Sequence, residues 1–196
     1  DEQALKDAKA KYNLPDKFFF HLGNTDPKKN TLGVIKAFAQ FRQKTGLDIP
    51  LVMLDFDRAE LLSMANDSGD SSIIEHIHLT GYVPNKELPA IYSQCEIFLY
   101  PSLRESFGIP ILEAMACGVP VITSNTSSMP EVSGGAALLV DPYKPESITD
   151  AMIRLLNDAD LRQGLIQKGF EQAAKFTWEA MARQVLDIYN EILSGI

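Results

Sequence analysis

The stretch IFLYPSLRESFGIPILEAMACGVPVITS, residues 97–124, contains a complete strand, helix and strand. Its apolar runs Ile97–Pro101 and Val119–Ser124 are typical of buried strands. Pro110 marks the start of the helix between them, because its missing N–H costs nothing in the first helical turn. Two strands joined through one helix predict a βαβ unit, in which the strands run parallel.

Apolar runs of the same kind recur along the chain, each followed by a segment with helical spacing. The predicted strands are Phe18–Gly23, Leu51–Asp55, Ile77–Tyr82, Ile97–Pro101, Val119–Ser124 and Ala137–Val140. Residues 51–54 are apolar at every position, as expected when helices cover both faces of a parallel sheet. We therefore predict an α/β fold, a Rossmann-like doubly wound parallel sheet of about six strands.

The helices are placed by apolar spacing and by the residues that end them. Thr31–Lys44 has apolar residues on one side and is followed by Gly46, a typical residue after a helix C-terminus. Beyond residue 144 the spacing is helical only, with helices predicted at residues 148–156, Leu161–Phe176 and Trp178–Leu193. The sequence thus predicts one domain over residues 1–196, with a core at about 16–142 and a helical tail at about 145–195.

Composition excludes several classes of protein. The chain has 196 residues, 45% of them hydrophobic, and a chain of this length can bury roughly 70% of its unfolded surface without disulfides or a structural metal. Its 18 basic and 26 acidic side chains give a formal net charge of -8, which disfavours nucleic acid as a partner.

Cys95 and Cys117 lack metal-ligand spacing and are interpreted as buried free thiols. No apolar run approaches the length of a membrane span, so we expect a cytoplasmic protein, at the inner face of the membrane in its full-length form.

Ligands of open α/β sheets bind beyond the carboxyl ends of the strands, which makes the loops there the candidate sites. The first predicted strand is followed by GNTDPKKN, residues 23–30. Gly23 permits close backbone approach, and Lys28 and Lys29 before a helix offer charge to an anion such as a diphosphate. Lys29, nearer the helix, is the predicted contact. The alternative is a solvated turn with two exposed lysines.

The loop before Pro110 combines free amides with carboxylates. The N–H groups of residues 107–109 open a helix and predict an anion site made of backbone. Glu105, just outside this helix, and Glu113, just inside it, are predicted to point into one crevice, where carboxylates accept hydrogen bonds from sugar hydroxyls. These features together favour a nucleotide sugar as ligand. The alternative is that Glu113 only interacts favourably with the dipole of the helix, and that Glu105 is exposed and paired with Arg104.

ESFGIPILEAMACGVPV, residues 105–121, resembles the signature of family 4 (group 1) retaining glycosyltransferases of the GT-B fold. Further matches are Lys29-Asn30, Gly81-Tyr82-Val83-Pro84, Tyr100-Pro101-Ser102 and Pro130-Glu131-Val132. The resemblance covers nearly the whole chain and corresponds to the C-terminal, nucleotide-sugar-binding half of that fold. It implies that the N-terminal acceptor domain is absent from this chain, which also lacks an initiator Met, as a piece of a longer polypeptide would.

The resemblance implies a role for each matched position. Glu105 would contact the donor sugar and Lys29 would neutralise the diphosphate leaving group, which makes these two the predicted catalytic residues. Glu113 would hold the ribose hydroxyls, and Gly81–Val83 would line the pocket for the base. The predicted donor-binding residues are Gly23, Asn24, Lys29, Tyr82, Val83, Ser106, Phe107, Gly108, Ile109 and Glu113.

The resemblance also implies the reaction and its partners. It implies a hexosyltransferase that needs neither a metal ion nor a cofactor. Its donor would be a nucleotide-diphosphate sugar, and a glycan or lipid-linked acceptor would bind through the missing N-terminal domain. The loop at residues 23–30 looks like that of bacterial polysaccharide mannosyltransferases, which favours mannose from GDP-mannose. The alternatives are a non-catalytic nucleotide-sugar-binding module and a related epimerase. Presence of both Glu105 and Glu113 favours the transferase.

Three further features qualify this interpretation. Asn24 stands where the family commonly has Arg, so one charge toward the diphosphate is lost. Asp55-Phe56-Asp57 has the Asp-x-Asp pattern of metal-dependent glycosyltransferases of another fold, although solvated loop acids are favoured here. The last predicted helix carries an apolar stripe that we expect to be partly exposed in the isolated chain and to promote self-association.

Overall fold

A computed structural model describes residues 2–195 of the chain. Its six strands are β1 (Phe19–His21), β2 (Leu51–Met53), β3 (Ile77–Leu79), β4 (Ile97–Tyr100), β5 (Val121–Ser124) and β6 (Leu138–Val140). They form one sheet in the order β3-β2-β1-β4-β5-β6, and every neighbouring pair is parallel. The predicted doubly wound sheet is confirmed. The strands are shorter than the apolar runs, because residues such as Leu22 and Leu54 leave the ladder while still packing against the core.

Nine α-helices lie within residues 2–195. They are α1 (Glu2–Lys11), α2 (Thr31–Thr45), α3 (Arg58–Asp67), α4 (Leu88–Tyr92), α5 (Ile109–Ala116), α6 (Met129–Ser133), α7 (Pro145–Asn157), α8 (Ala159–Ala173) and α9 (Trp178–Ser194). As predicted, α2 ends at Gly46, whose φ of 66° is the left-handed conformation that glycine readily adopts. The N-terminus of α8 lies two residues before the predicted Leu161, because the Asp158 side chain accepts a hydrogen bond from the Leu161 N–H and caps the helix there.

The helices cover both faces of the sheet, because successive strand residues point to opposite sides. Phe20, Phe98 and Tyr100 pack on the face that carries α1, α4, α5 and α6. Phe19 and Leu99 pack on the other face, with α2, α3 and α7. This two-sided burial explains why the central strands are apolar at nearly every position.

The order of the strands reverses direction between β1 and β4, which lie side by side at the centre of the sheet. Ligands of doubly wound sheets bind at such a switch point. The loop after β1 and the loop after β4 meet there, and these are the two loops that the sequence marks as candidate sites.

Within the predicted helical tail, α7 and α8 pack on the rest of the domain, whereas the last helix does not. No residue of α9 is buried, although the helix carries many large apolar side chains. Among the described residues, no helix combines the length and the apolar character that crossing a membrane requires.

Candidate functional site

Lys29 and Glu105 join the two loops at the switch point. Lys29 Nζ donates to Glu105 Oε1 at 2.7 Å and to the Tyr100 hydroxyl at 2.9 Å. The same hydroxyl donates to Glu105 Oε1 at 2.8 Å. The side chains of Lys29 and Glu105 are 20% and 12% exposed, so the pair is mostly shielded yet borders on solvent. The alternatives of an exposed Lys29 and of a Glu105 paired with Arg104 are therefore wrong.

The charge of Glu105 is stabilised by its neighbours. Burial opposes ionisation of this carboxyl, but the hydrogen bonds from Lys29 and Tyr100 outweigh burial and hold its pKa below the usual range. Burial, together with the hydrogen bond to Glu105, raises the pKa of Tyr100. Tyr100 consequently keeps its proton at neutral pH and can donate it in the hydrogen bond to the carboxylate.

The turn before α5 has its carbonyls hydrogen-bonded and several of its amides without a partner among the described residues. The Ser127 hydroxyl donates to the carbonyl oxygen of Glu105 at 2.8 Å, and the Ser128 hydroxyl donates to that of Phe107 at 2.8 Å, with the Glu105 carbonyl 3.1 Å away as a second acceptor. Within the described part of the chain, no acceptor takes the N–H groups of residues 106–108. Unpartnered amides just before a helix are available to bind an anion.

Gly108 makes the turn possible. Its φ is 102°, a conformation that a residue with a side chain rarely adopts. The chain then enters α5 with Pro110 in the first turn, as the sequence predicts. Ile109, at the start of this helix, is about half exposed beside the turn.

Glu113 is held by a second tyrosine. Its Oε2 accepts a hydrogen bond from the Tyr92 hydroxyl at 3.1 Å. The rings of Tyr92, Phe98 and Tyr100 form a row with centroid separations of 5.0 and 5.7 Å. Both carboxylates are thus attached to one buried aromatic row beneath α5. This attachment was not foreseen from the sequence.

Buried His21 supports the loop after β1. Its Nδ1 donates to the Leu99 carbonyl at 2.8 Å, and its Nε2 lies 3.3 Å from the Thr31 hydroxyl oxygen. Thr31 in turn donates to the Asn24 carbonyl at 2.8 Å. A Cβ on Gly23 would collide with His21 and Thr31, so glycine is required there by close approach. Burial lowers the pKa of His21 to about 4, which leaves the ring neutral at neutral pH.

Asn30 fixes the position of Lys29 relative to the sheet. Its φ is 58°, and its side-chain amide donates to the carbonyls of Pro101 at 2.9 Å and Pro142 at 2.8 Å. The Leu103 N–H also donates to the Lys28 carbonyl at 2.7 Å. These bonds tie the loop after β1 to the loops after β4 and β6.

The remaining predicted residues lie around this centre with different exposure. Tyr82 is 73% exposed, whereas the side chain of Val83 is buried in the core, so that the role of this segment in lining a base pocket stays a prediction. Asn24 is exposed, and its side-chain oxygen accepts from the Asp26 N–H at 2.9 Å. Phe107 packs edge-to-face on Phe176 with the centroids 5.6 Å apart.

Two other features of the molecule lie outside this centre. The Asp57 carboxylate caps α3 through the N–H groups of Ala59 and Glu60, at 2.8 and 3.0 Å, which gives the second acid of the Asp-x-Asp pattern a structural role. A cavity of about 520 Å³ lies between α2 and residues 68–76. It contains none of the predicted site residues. Its lining residues Arg42, near the end of α2, and His76, directly before β3, lie toward the amino ends of the strands, whereas the candidate site lies at the carboxyl ends.

A doubly wound sheet with a lysine, carboxylates and unpartnered amides at its switch point is the arrangement in which α/β domains bind their ligands. The family model described as "Glycosyl transferases group 1" matches residues 2–172. The chain belongs to this family of glycosyltransferases, and its Rossmann-like fold is that of GT-B members.

Curated relatives and solved structures agree with this assignment. The chain is 34% identical over 176 residues to O-antigen chain mannosyltransferase B of Escherichia coli, covering 88% of this chain and 45% of that protein. It is 32% identical to the serotype-specific mannosyltransferase WbdA of Escherichia coli, covering 98% of this chain and 24% of the relative. A sucrose-phosphate synthase from Thermosynechococcus elongatus superposes with a TM-score of 0.77 at 27% identity, covering 97% of this chain and 49% of the other. The chain therefore spans about half or less of the length of these proteins.

Proposed function

We propose that the chain is the C-terminal donor-binding domain of a retaining glycosyltransferase that transfers a hexose, mannose from GDP-mannose, to a glycan or lipid-linked acceptor. The acceptor would be bound by the N-terminal domain of such an enzyme. The observation that carries the proposal is the Lys29–Glu105 pair beside the open amides of residues 106–108. A cation and amides suit a diphosphate, and a carboxylate suits sugar hydroxyls.

The mechanism that we propose is the one implied by the resemblance to retaining glycosyltransferases. The bond between the anomeric carbon and the diphosphate oxygen breaks, and the acceptor oxygen bonds to the same face of that carbon. The acceptor proton passes to an oxygen of the leaving phosphate. Lys29 and the amides of residues 106–108 stabilise the negative charge that grows on the diphosphate, while Glu105 holds the sugar. Glu113 holds the ribose hydroxyls.

The choice of mannose is supported by the names of the relatives. Mannosyltransferase B and WbdA are both mannosyltransferases by name, and both align with most of this chain. Metal independence is part of the proposal, because Lys29 and backbone amides offer the positive charge that a metal ion would otherwise supply. A cytoplasmic location, at the inner face of the membrane in the full-length protein, stays a prediction.

Calorimetric titration tests the proposal. The chain is titrated with GDP, UDP, ADP, GDP-mannose and UDP-glucose, each with and without EDTA. We expect one nucleotide and its sugar conjugate to bind, each with the same affinity in the presence of EDTA as in its absence, and Glu113→Ala to weaken both. The matched control is Glu75→Ala, which removes an exposed glutamate outside the site. Failure of every ligand to bind, or binding that requires a divalent metal, would contradict the proposal.

A further inference from the structure

Glu105 and a diphosphate compete for the same cation. Lys29 Nζ lies 2.7 Å from Glu105 Oε1, and both side chains are largely shielded from solvent. Like charges within a few ångströms repel strongly where water is partly excluded. A diphosphate that binds to Lys29 must therefore either draw the ammonium away from Glu105 or lie close to its carboxylate.

We propose that Glu105 is a specificity-determining residue that favours the intact nucleotide sugar over the free nucleoside diphosphate, and that Tyr100 is its positioning residue. The inference rests on the proposed function and concerns the same site. Hydroxyls of the donor sugar can donate to Glu105 and replace the hydrogen bond that Lys29 gives to the diphosphate. A free nucleoside diphosphate has no sugar hydroxyls to donate. When it binds Lys29, the shielded carboxylate of Glu105 loses that hydrogen bond and gains none in its place.

This discrimination affects the end of the reaction. Once the sugar has been transferred, the diphosphate remains beside a carboxylate that no longer has sugar hydroxyls. Glu105 then recovers its bond to Lys29 and helps to release the product. The same residue that selects the donor thereby limits inhibition by the product.

Tyr100 gives Glu105 the fixed position that this discrimination requires. The tyrosine ring is 1% exposed and stacks on Phe98, so its hydroxyl is held by the core. It donates to Glu105 Oε1 and accepts from Lys29, which aligns the two charged groups. Tyr100→Phe removes only this hydroxyl and keeps the buried ring, which separates positioning from packing.

The test compares affinities for a nucleoside diphosphate and for its sugar conjugate in the same variant. The probes are GDP with GDP-mannose and UDP with UDP-glucose, titrated into the wild-type chain, Glu105→Gln and Tyr100→Phe. We expect Glu105→Gln to bind the diphosphate about tenfold more tightly and to lose a similar factor in preference for the sugar conjugate. Tyr100→Phe should lose a smaller part of that preference. Glu75→Gln, which removes an exposed carboxylate elsewhere, should match the wild type.

A second readout addresses positioning by Tyr100 without any nucleotide. Loss of the hydroxyl removes a donor to the carboxylate, so the pKa of Glu105 should rise in Tyr100→Phe. Carbon-detected NMR titration of the labelled glutamate side chains measures this. An unchanged preference in Glu105→Gln, or an unchanged pKa in a folded Tyr100→Phe, would overturn the inference while leaving the proposed function intact. If no nucleotide or conjugate binds to the wild-type chain, the proposed function and this inference fail together.

Discussion

At the scale of single residues, the site depends on buried polar groups that never touch the surface. His21 is 1% exposed, and through Thr31 it supports the loop that carries Gly23 and Asn24. Its neutral ring satisfies the Leu99 carbonyl without bringing a charge beneath the site. A histidine in an otherwise apolar strand is a visible sequence signal, although its hydrogen-bond partners are not.

The burial of His21 predicts how stability depends on pH. The unfolded chain takes up a proton on this ring near pH 6.5, whereas the folded chain does so only near pH 4. Unfolding is therefore favoured as pH falls from 6.5 to 4, and the free energy of unfolding should fall by up to about 3 kcal/mol over this range. Urea unfolding at several pH values measures the effect. The His21→Gln variant should show a flatter curve in this window, and an equal slope in both proteins would contradict the argument.

At the scale of elements, the turn between β4 and α5 determines how the amides are displayed. Its carbonyls accept hydrogen bonds from hydroxyls of residues 124–128, a polar run that begins at the last residue of β5. Its entry into α5 requires the positive φ of Gly108. The site is thus a property of two adjacent strands and the turns that follow them.

Gly108→Ala tests this dependence on backbone conformation. We expect it to cost about 1 to 2 kcal/mol of stability, because an L side chain is strained at this φ and its Cβ would lie 3.2 Å from Ile111 Cδ1. It should also weaken nucleotide binding. The matched control is Gly164→Ala in α8, where an added Cβ meets no atom within 4 Å and helix propensity should increase stability. Thermal unfolding and calorimetry measure both effects, and equal stability changes in the two variants would refute the explanation.

Local features of the site could be predicted from the sequence, whereas its long-range contacts could not. Apolar runs and helix-ending residues predicted the strands, Gly46 and the start of α5, because these are set by neighbours in the chain. The contact of Lys29 with Tyr100 joins residues 71 positions apart and exists because β1 lies next to β4. The spacing of residues does not specify that order of strands.

At the scale of the whole molecule, α9 leaves an unburied apolar surface. Its exposed apolar residues are Trp178, Met181, Val185, Leu186, Ile188, Tyr189, Ile192 and Leu193. Exposed patches of this kind promote association, so self-association of the isolated chain stays a prediction. Sedimentation velocity at several concentrations should show a dimer or larger species, and Ile188→Glu should reduce it. A monomer at every concentration of the wild-type chain would refute this prediction.

The central claim is that Lys29 binds the diphosphate of a sugar nucleotide, and neighbouring Lys28 offers a matched control. Lys29 is largely shielded and bonded to Glu105, whereas Lys28 is exposed and paired with Asp26. The most direct measurement is calorimetric titration of the wild-type chain, Lys29→Gln and Lys28→Gln with GDP-mannose in EDTA. The account predicts that Lys29→Gln weakens binding about tenfold or more, while Lys28→Gln changes it little. Equal affinities in the two variants, or no binding of any sugar nucleotide to the wild-type chain, would contradict it.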